Sequence, residues 1–141
     1  MSVLLDTNVV SELIRKSPHP TVEAWAARHP LEELFFSAVG EAELRFGAAL
    51  LAAGRRRDTL VSAIERMLRD AFENRILTFN SDAARSYAVI AAARRSVGRS
   101  VPSIDCQIAA IAHSRNMAVA TRNVRDFEGM DVEVIDPWTV A

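Results

Sequence analysis

Cysteine, lysine, histidine and glycine are all scarce in this chain, and each scarcity removes a class of function. The single cysteine, Cys106, has no partner for an intramolecular disulfide, so the fold must rest on its apolar core and a reduced, cytoplasmic setting is expected. No cationic and apolar leader opens the chain, and no apolar run approaches the roughly 20 residues that cross a bilayer, so no membrane attachment is expected. His19, His29 and His113 lack metal-ligand spacing and read as surface or helix-end residues. The five glycines form neither a GxGxxG nor a phosphate-loop pattern, which argues against a nucleotide cofactor. Charge of one sign is missing too. The net charge of -1 gives no global field toward polyanions, so any contact with nucleic acid must come from local patches. Lys16 is the only lysine, and every other basic residue is arginine, the better side chain for bidentate contacts.

What is present is apolar and periodic. At 141 residues and 50% hydrophobic content the chain suits one domain, 1–141, with a single well-buried core. Val3-Leu4-Leu5 is a short unbroken apolar run, as in a strand covered on both faces, and Val9, Val10, Leu13 and Ile14 then recur at helical spacing. Further strands are expected at Leu34–Phe36, at Ile76–Phe79, at Ala118–Thr121 and, as a fifth, at Val132–Ile135. Helical patterns fall between them. One runs through Val39, Ala42, Phe46, Ala49 and Leu50 until Gly54, one through Leu60, Ile64, Leu68 and Phe72, one through Tyr87 and Ile90, and one through Ile104, Ile108 and Ile111. Asn80-Ser81-Asp82 can cap the third, and Ser103 the fourth. This alternation predicts an α/β three-layer sandwich with a mostly parallel central sheet of four to five strands.

Acids stand out against that frame. Asp6 follows the first strand at the carboxyl end, the edge where parallel sheets bind ligands, although a strand-end acid also caps helices. Glu43 shares a helix face with Val39, Phe46 and Leu50, so its carboxylate either snorkels beside an arginine or is held for a purpose. Asp105 lies in the first turn of a helix, where the macrodipole alone would favour it. A parallel sheet gathers all three at one edge. Converging carboxylates without a lysine or histidine cluster call for a hard divalent cation, Mg²⁺ or Mn²⁺, which would activate water at a phosphodiester. Asn123 and Asp126 leave the fourth strand at the same edge and are either further oxygen ligands or ordinary turn residues. Arg55, Arg56 and Arg57 read as a solvated helix start or as a contact for nucleic acid or a protein partner.

Leu4-Leu5-Asp6-Thr7-Asn8-Val9, Ser37 through Ala42-Glu43-Leu44-Arg45, Asp105 with Ile108-Ala109-Ala110, and Ala120-Thr121-Arg122-Asn123 together resemble, in order and spacing, the signature blocks of PIN-domain toxins of the VapC family. The likeness spans the whole chain. It is strongest to the FitB-like branch, through Ala53-Gly54 before the arginine run and the closing Asp136-Pro137-Trp138. The resemblance implies a PIN-like fold and a Mg²⁺- or Mn²⁺-dependent endoribonuclease toxin of a type II toxin-antitoxin pair. It further implies a VapB/FitA-like antitoxin that blocks the site and binds operator DNA, and assembly as a homodimer. By position, Asp6, Glu43 and Asp105 match the family's acids, and Thr7 with Ser37 or Thr121 match hydroxyls that orient ligands or water. Asn123 departs from the branch, which has an acid directly after Thr-Arg, while many relatives have an acid where Asp126 stands. Two other readings remain: a phosphorylated receiver-like signalling domain, which would need a lysine at a late strand end, and a non-catalytic operator-binding co-repressor.

Overall fold

Val3, Leu4 and Leu5 are fully buried because β1 (Val3–Leu5) lies at the centre of the sheet and is covered on both faces. The computed structural model describes residues 1–140. From β1 the chain enters α1 (Thr7–Leu13) and α2 (Pro20–Ala27), then β2 (Leu34–Ser37), α3 (Ala38–Ala49) and α4 (Arg55–Asp70). It continues through β3 (Ile76–Leu77), α5 (Ser81–Ser96), α6 (Ser103–Ser114), β4 (Ala118–Ala120), a 3₁₀ turn (Val124–Phe127) and β5 (Val134–Ile135). The five strands pair in the order β3-β2-β1-β4-β5, all parallel, with Leu4 opposite Phe35 on one side and Val119 on the other.

Alternation along β1 divides the core in two. Val3 and Leu5 face a cluster with Val9, Val10, Trp25, Leu44, Ile64 and Leu68 from α1 to α4 and Phe72 from the turn after α4. Leu4 faces the opposite cluster, with Ile90, Ile108, Ile111, Val119 and Phe127 around α5 and α6. Helices, sheet and helices make the expected three layers. The third and fifth strands are shorter than expected, two residues each, because the sheet has narrowed to its edges there.

α3 differs from expectation in a way that matters below. Its buried residues are Gly40, Leu44 and Ala48, whereas Phe46 is 64% and Leu50 70% exposed. Phe46 and Leu50 are therefore turned outward, while Val39 stays half-buried against the cluster around α5 and α6. Close approach decides the rotation: a Cβ on Gly40 would lie 2.5 Å from Phe36 Cε1, so the helix lays its small-residue face on β2. Two caps also resolve. Asn80 accepts from the Ala83 N–H at 3.0 Å as expected, while Pro102, not Ser103, occupies the N-cap position of α6 with no side-chain bond.

Candidate active site

Asp6, Ser37 and Thr121 stand at the carboxyl ends of β1, β2 and β4, adjacent strands of the sheet, so the topology brings them to one edge. Asp6 is only 3% exposed. Its N–H donates to the Ala120 carbonyl at 2.9 Å, extending the strand pairing one residue and fixing its backbone. Its Oδ1 accepts from the Thr7 N–H at 2.8 Å, and its Oδ2 accepts from the Thr121 hydroxyl at 2.7 Å and the Asn8 amide at 3.4 Å. Burial raises the Asp6 carboxyl above its ordinary range, and the charges of Glu43 and Asp126 add to the rise. The bonds from Thr121 and Thr7 oppose it.

Glu43 reaches this edge from α3. Its Oε1 accepts from the Thr7 hydroxyl at 2.6 Å, so the carboxylate is held across two helices. Asp105, half-buried in the first turn of α6, is pushed up to about 6 by burial first, then by the charges of Asp6, Asp126 and Glu43, with Arg94 pulling the other way. Asp126 is exposed on the 3₁₀ turn, and its charge is felt at both Asp6 and Asp105. All four acids thus share one field.

The remaining predicted residues divide. Thr121, fully buried, donates to Asp6 and accepts from the Asn123 N–H at 3.0 Å. Asn123 itself is exposed. The Ser37 hydroxyl accepts from the Gly40 N–H at 2.9 Å, so it caps α3. Arg55, Arg56 and Arg57 begin α4 after the far end of α3, which carries the chain away from the edge, and Arg57 with Arg45 borders a separate pocket of about 280 Å³ over Ala48 and Ile64. Lys16 lies in the α1–α2 connection, not at a strand end, which removes the lysine a receiver-like site would need. Sequence reasoning gave no role to two residues. Asn8 bridges α1 to the loop after β4, donating to Asp6 and Thr121 at 3.4 Å and accepting from the Arg122 N–H at 3.2 Å. Arg94 is 4% exposed and serves the loops that carry Asp105 and Asp126. Asn8 stood beside Asp6 and Thr7 in the opening block, but one of two arginines closing a helical pattern carried no signal.

Among the described residues no three carboxylates stand close enough to enclose an ion unaided. The donor set fits a hard divalent cation all the same. It is all oxygen, the neighbouring carboxylates add to the rise at Asp6 and at Asp105, and Mg²⁺ is ordinarily held by one or two carboxylates while keeping several waters.

Comparison with known proteins gives the same placement throughout. A family model described as the PIN domain matches residues 3–133. VapC ribonuclease Y4jK of Sinorhizobium fredii is 40% identical over 139 residues, 99% of each chain. Toxin FitB of Neisseria gonorrhoeae is 39% identical over 136 residues, 96% of this chain and 98% of that one. The structure of FitAB bound to an IR36 DNA fragment superposes with a TM-score of 0.91 at 38% identity, covering 99% of this chain and 97% of the other.

Proposed function

Because the chain belongs to the PIN-domain family, among toxins of the VapC and FitB kind, we propose that it is a divalent-metal-dependent endoribonuclease that hydrolyses RNA phosphodiesters. The observation that carries the reading is the pairing of Asp6 with Thr121 and of Glu43 with Thr7, which aims two buried or half-buried acids at the edge where Asp105 and Asp126 also stand. Among the described residues no ion pair holds either carboxylate: Asp6 accepts from the Thr121 hydroxyl, the Thr7 N–H and the Asn8 amide, and Glu43 from the Thr7 hydroxyl, donors that orient a carboxylate without neutralising it.

In this mechanism Asp6 and Asp105 would hold Mg²⁺ or Mn²⁺, with Asp126 as a further ligand. The ion, when bound, lowers the pKa of a water and offsets charge on the phosphate. Glu43, oriented by Thr7, is a ligand or takes the proton from the attacking water. Asp6 has one oxygen fixed by Thr121 and the other by its own helix start, so its carboxylate plane is set before any substrate arrives. The N-termini of α1 and α3, which begin directly after β1 and β2, add positive partial charge at the edge.

The partners follow from the same family placement: a VapB/FitA-like antitoxin, operator DNA reached through it, and a second copy of the chain. FitAB is seen bound to DNA, which supports that assignment by likeness. An exposed apolar groove of about 490 Å³, in which Val39, Phe46, Phe79 and Ile104 adjoin Glu43, offers a surface for such a partner.

Cleavage of labelled single-stranded RNA by the purified protein, in Mg²⁺, in Mn²⁺ and in chelator, tests the activity. Metal-dependent cleavage that disappears in Asp6→Asn and Asp105→Asn is expected. Cleavage at the wild-type rate in chelator, or in either variant, refutes it.

A further inference from the structure

Arg94 is the one arginine in the described residues that is almost fully buried, and its hydrogen bonds go to main-chain carbonyls rather than to a carboxylate. From the last turn of α5 its Nε donates to the Ser100 carbonyl at 2.8 Å. Its Nη1 donates to the Asp126 carbonyl at 3.2 Å and to the Glu128 carbonyl. The Arg99 N–H returns to the Arg94 carbonyl at 3.0 Å, closing the same loop. A planar fork with donors at fixed angles is therefore shared between two segments. One is the 98–102 loop that delivers Asp105 into α6. The other is the 3₁₀ turn that carries Asp126.

Burying a guanidinium without a counter-charge is costly, and an arginine kept only for packing would be replaced without loss by an apolar side chain. The acids at the edge pay back part of that cost, since the Arg94 charge acts on Asp105 against its neighbours. One other link joins the two segments, from the Arg99 guanidinium to the Glu128 carbonyl at 3.4 Å and to its carboxylate at 3.3 Å, but that pair is exposed and an exposed ion pair holds little. The 98–102 loop is made of exposed or half-exposed residues, and of the 3₁₀ turn only Phe127 is buried.

Resting on the reading of Asp105 and Asp126 as ion ligands, we propose that Arg94 is a positioning residue for the metal site, its guanidinium setting the separation of those two carboxylates by clamping the backbone segments that carry them. Lysine has the charge but not the fork. Positioning by the fork therefore fails in Arg94→Lys as well as in Arg94→Met, whereas a role of charge alone survives in the lysine variant.

The test is Mn²⁺ binding to the full-length protein, alone and with a non-cleavable RNA, read by calorimetry and by the spin-resonance signal of free Mn²⁺, for wild type, Arg94→Lys, Arg94→Met, Asp126→Asn and the Arg94→Lys/Asp126→Asn pair. Unfolding curves show which variants are folded at the binding temperature, and Arg94→Lys, which keeps the stem and the charge, is the milder change. Affinity lower by about 10- to 100-fold in the folded Arg94 variants is expected, the usual consequence of removing a group that orients ligands. The double variant should bind no more weakly than the worse of its parents, because both changes act through one carboxylate. Wild-type affinity in a folded Arg94→Lys protein, or additive losses in the pair, overturns the inference while leaving the ribonuclease reading intact. Metal binding indifferent to Asp126→Asn both with and without the RNA overturns it together with the assignment of Asp126 as a ligand.

Discussion

Thr7 and Glu43, 36 positions apart, meet in a 2.6 Å hydrogen bond between the first residue of α1 and the middle of α3. The bond joins two helices that each rest on the sheet by a different small or branched face, so the carboxylate is aimed by both. The threonine hydroxyl has one proton, and here it goes to Glu43. A glutamate with three free side-chain torsions is otherwise a poor instrument for a reaction that needs a fixed oxygen.

Thr7→Val, which keeps the shape and removes the hydroxyl, is expected to cost about 1 kcal/mol of stability, as for a typical hydrogen bond. Its effect on cleavage should be larger, a fall of roughly tenfold or more, with Thr7→Ser restoring most of the rate. Turnover measured alongside thermal unfolding separates the two effects. Equal losses in the valine and serine variants would show that the hydroxyl does not orient Glu43.

Asp105 gives the protein a pH dependence of definite sign. Its carboxyl titrates at about 6 in the folded state and near its ordinary value of 3.8 in the unfolded chain. Between those values the folded protein holds a proton that the unfolded chain has lost, so metal-free stability falls as pH rises through that window and levels off above it. Asp6, raised by burial, adds to the same trend. Asp105→Asn should flatten the slope and be more stable than wild type at about pH 7 in chelator. Melting curves across the window check this, and a wild-type melting temperature that climbs with pH would contradict it. Above the window Mg²⁺ should stabilise wild type and leave the variant unmoved.

Asn123 supplies an amide where the FitB-like branch has an acid, and Asp126 follows on the same turn. One protein-bound ion is therefore expected in the free protein, with a second entering only when RNA phosphate adds negative charge. Asn123→Asp should tighten metal binding, and Asp126→Asn should weaken the second ion more than the first. Calorimetry with and without a non-cleavable RNA counts the ions. Two tight Mg²⁺ sites in RNA-free protein would rule this out.

The arginine run at the start of α4 lies away from the acids, so a direct role in chemistry is not expected of it. Replacing Arg55, Arg56 and Arg57 with glutamine should leave the rate on a short substrate unchanged. If the run touches a longer RNA, the salt dependence of binding should flatten by about one unit of log slope per lost phosphate contact. An unchanged slope with weakened antitoxin binding would assign the run to the protein partner instead.

The central strand and its acid were legible because Val3-Leu4-Leu5 is an unbroken apolar run and Asp6 interrupts it. Glu43 was found for a reason that the structure reverses. α3 has two apolar faces, and hydropathy favoured the one with Phe46, whereas contact with Phe36 selected the one with Gly40 and Ala48. Large side chains dominate a hydropathy pattern; small ones permit approach. Asn8 and Arg94 were illegible for another reason. Beyond Asp6, the partners of Asn8 lie past position 120, and those of Arg94 include carbonyls past position 125. Carbonyls leave no mark on a sequence.

The sheet order places β1 between β2 and β4, and a consequence follows for a chain emerging from the ribosome. The first strand is made at once, but one of its two neighbours arrives only with Ala118–Ala120, and the hydroxyl that orients Asp6 belongs to a residue 115 positions later. Until that residue clears the exit tunnel, β1 has a bare edge and Asp6 lacks its strongest donor. A nascent chain, or one truncated before Thr121, therefore has Asp6, Glu43 and Asp105 but neither Asp126 nor an assembled site. For a protein proposed to cut RNA, that order of events keeps the blade unfinished while the messenger and the ribosome that make it are still within reach.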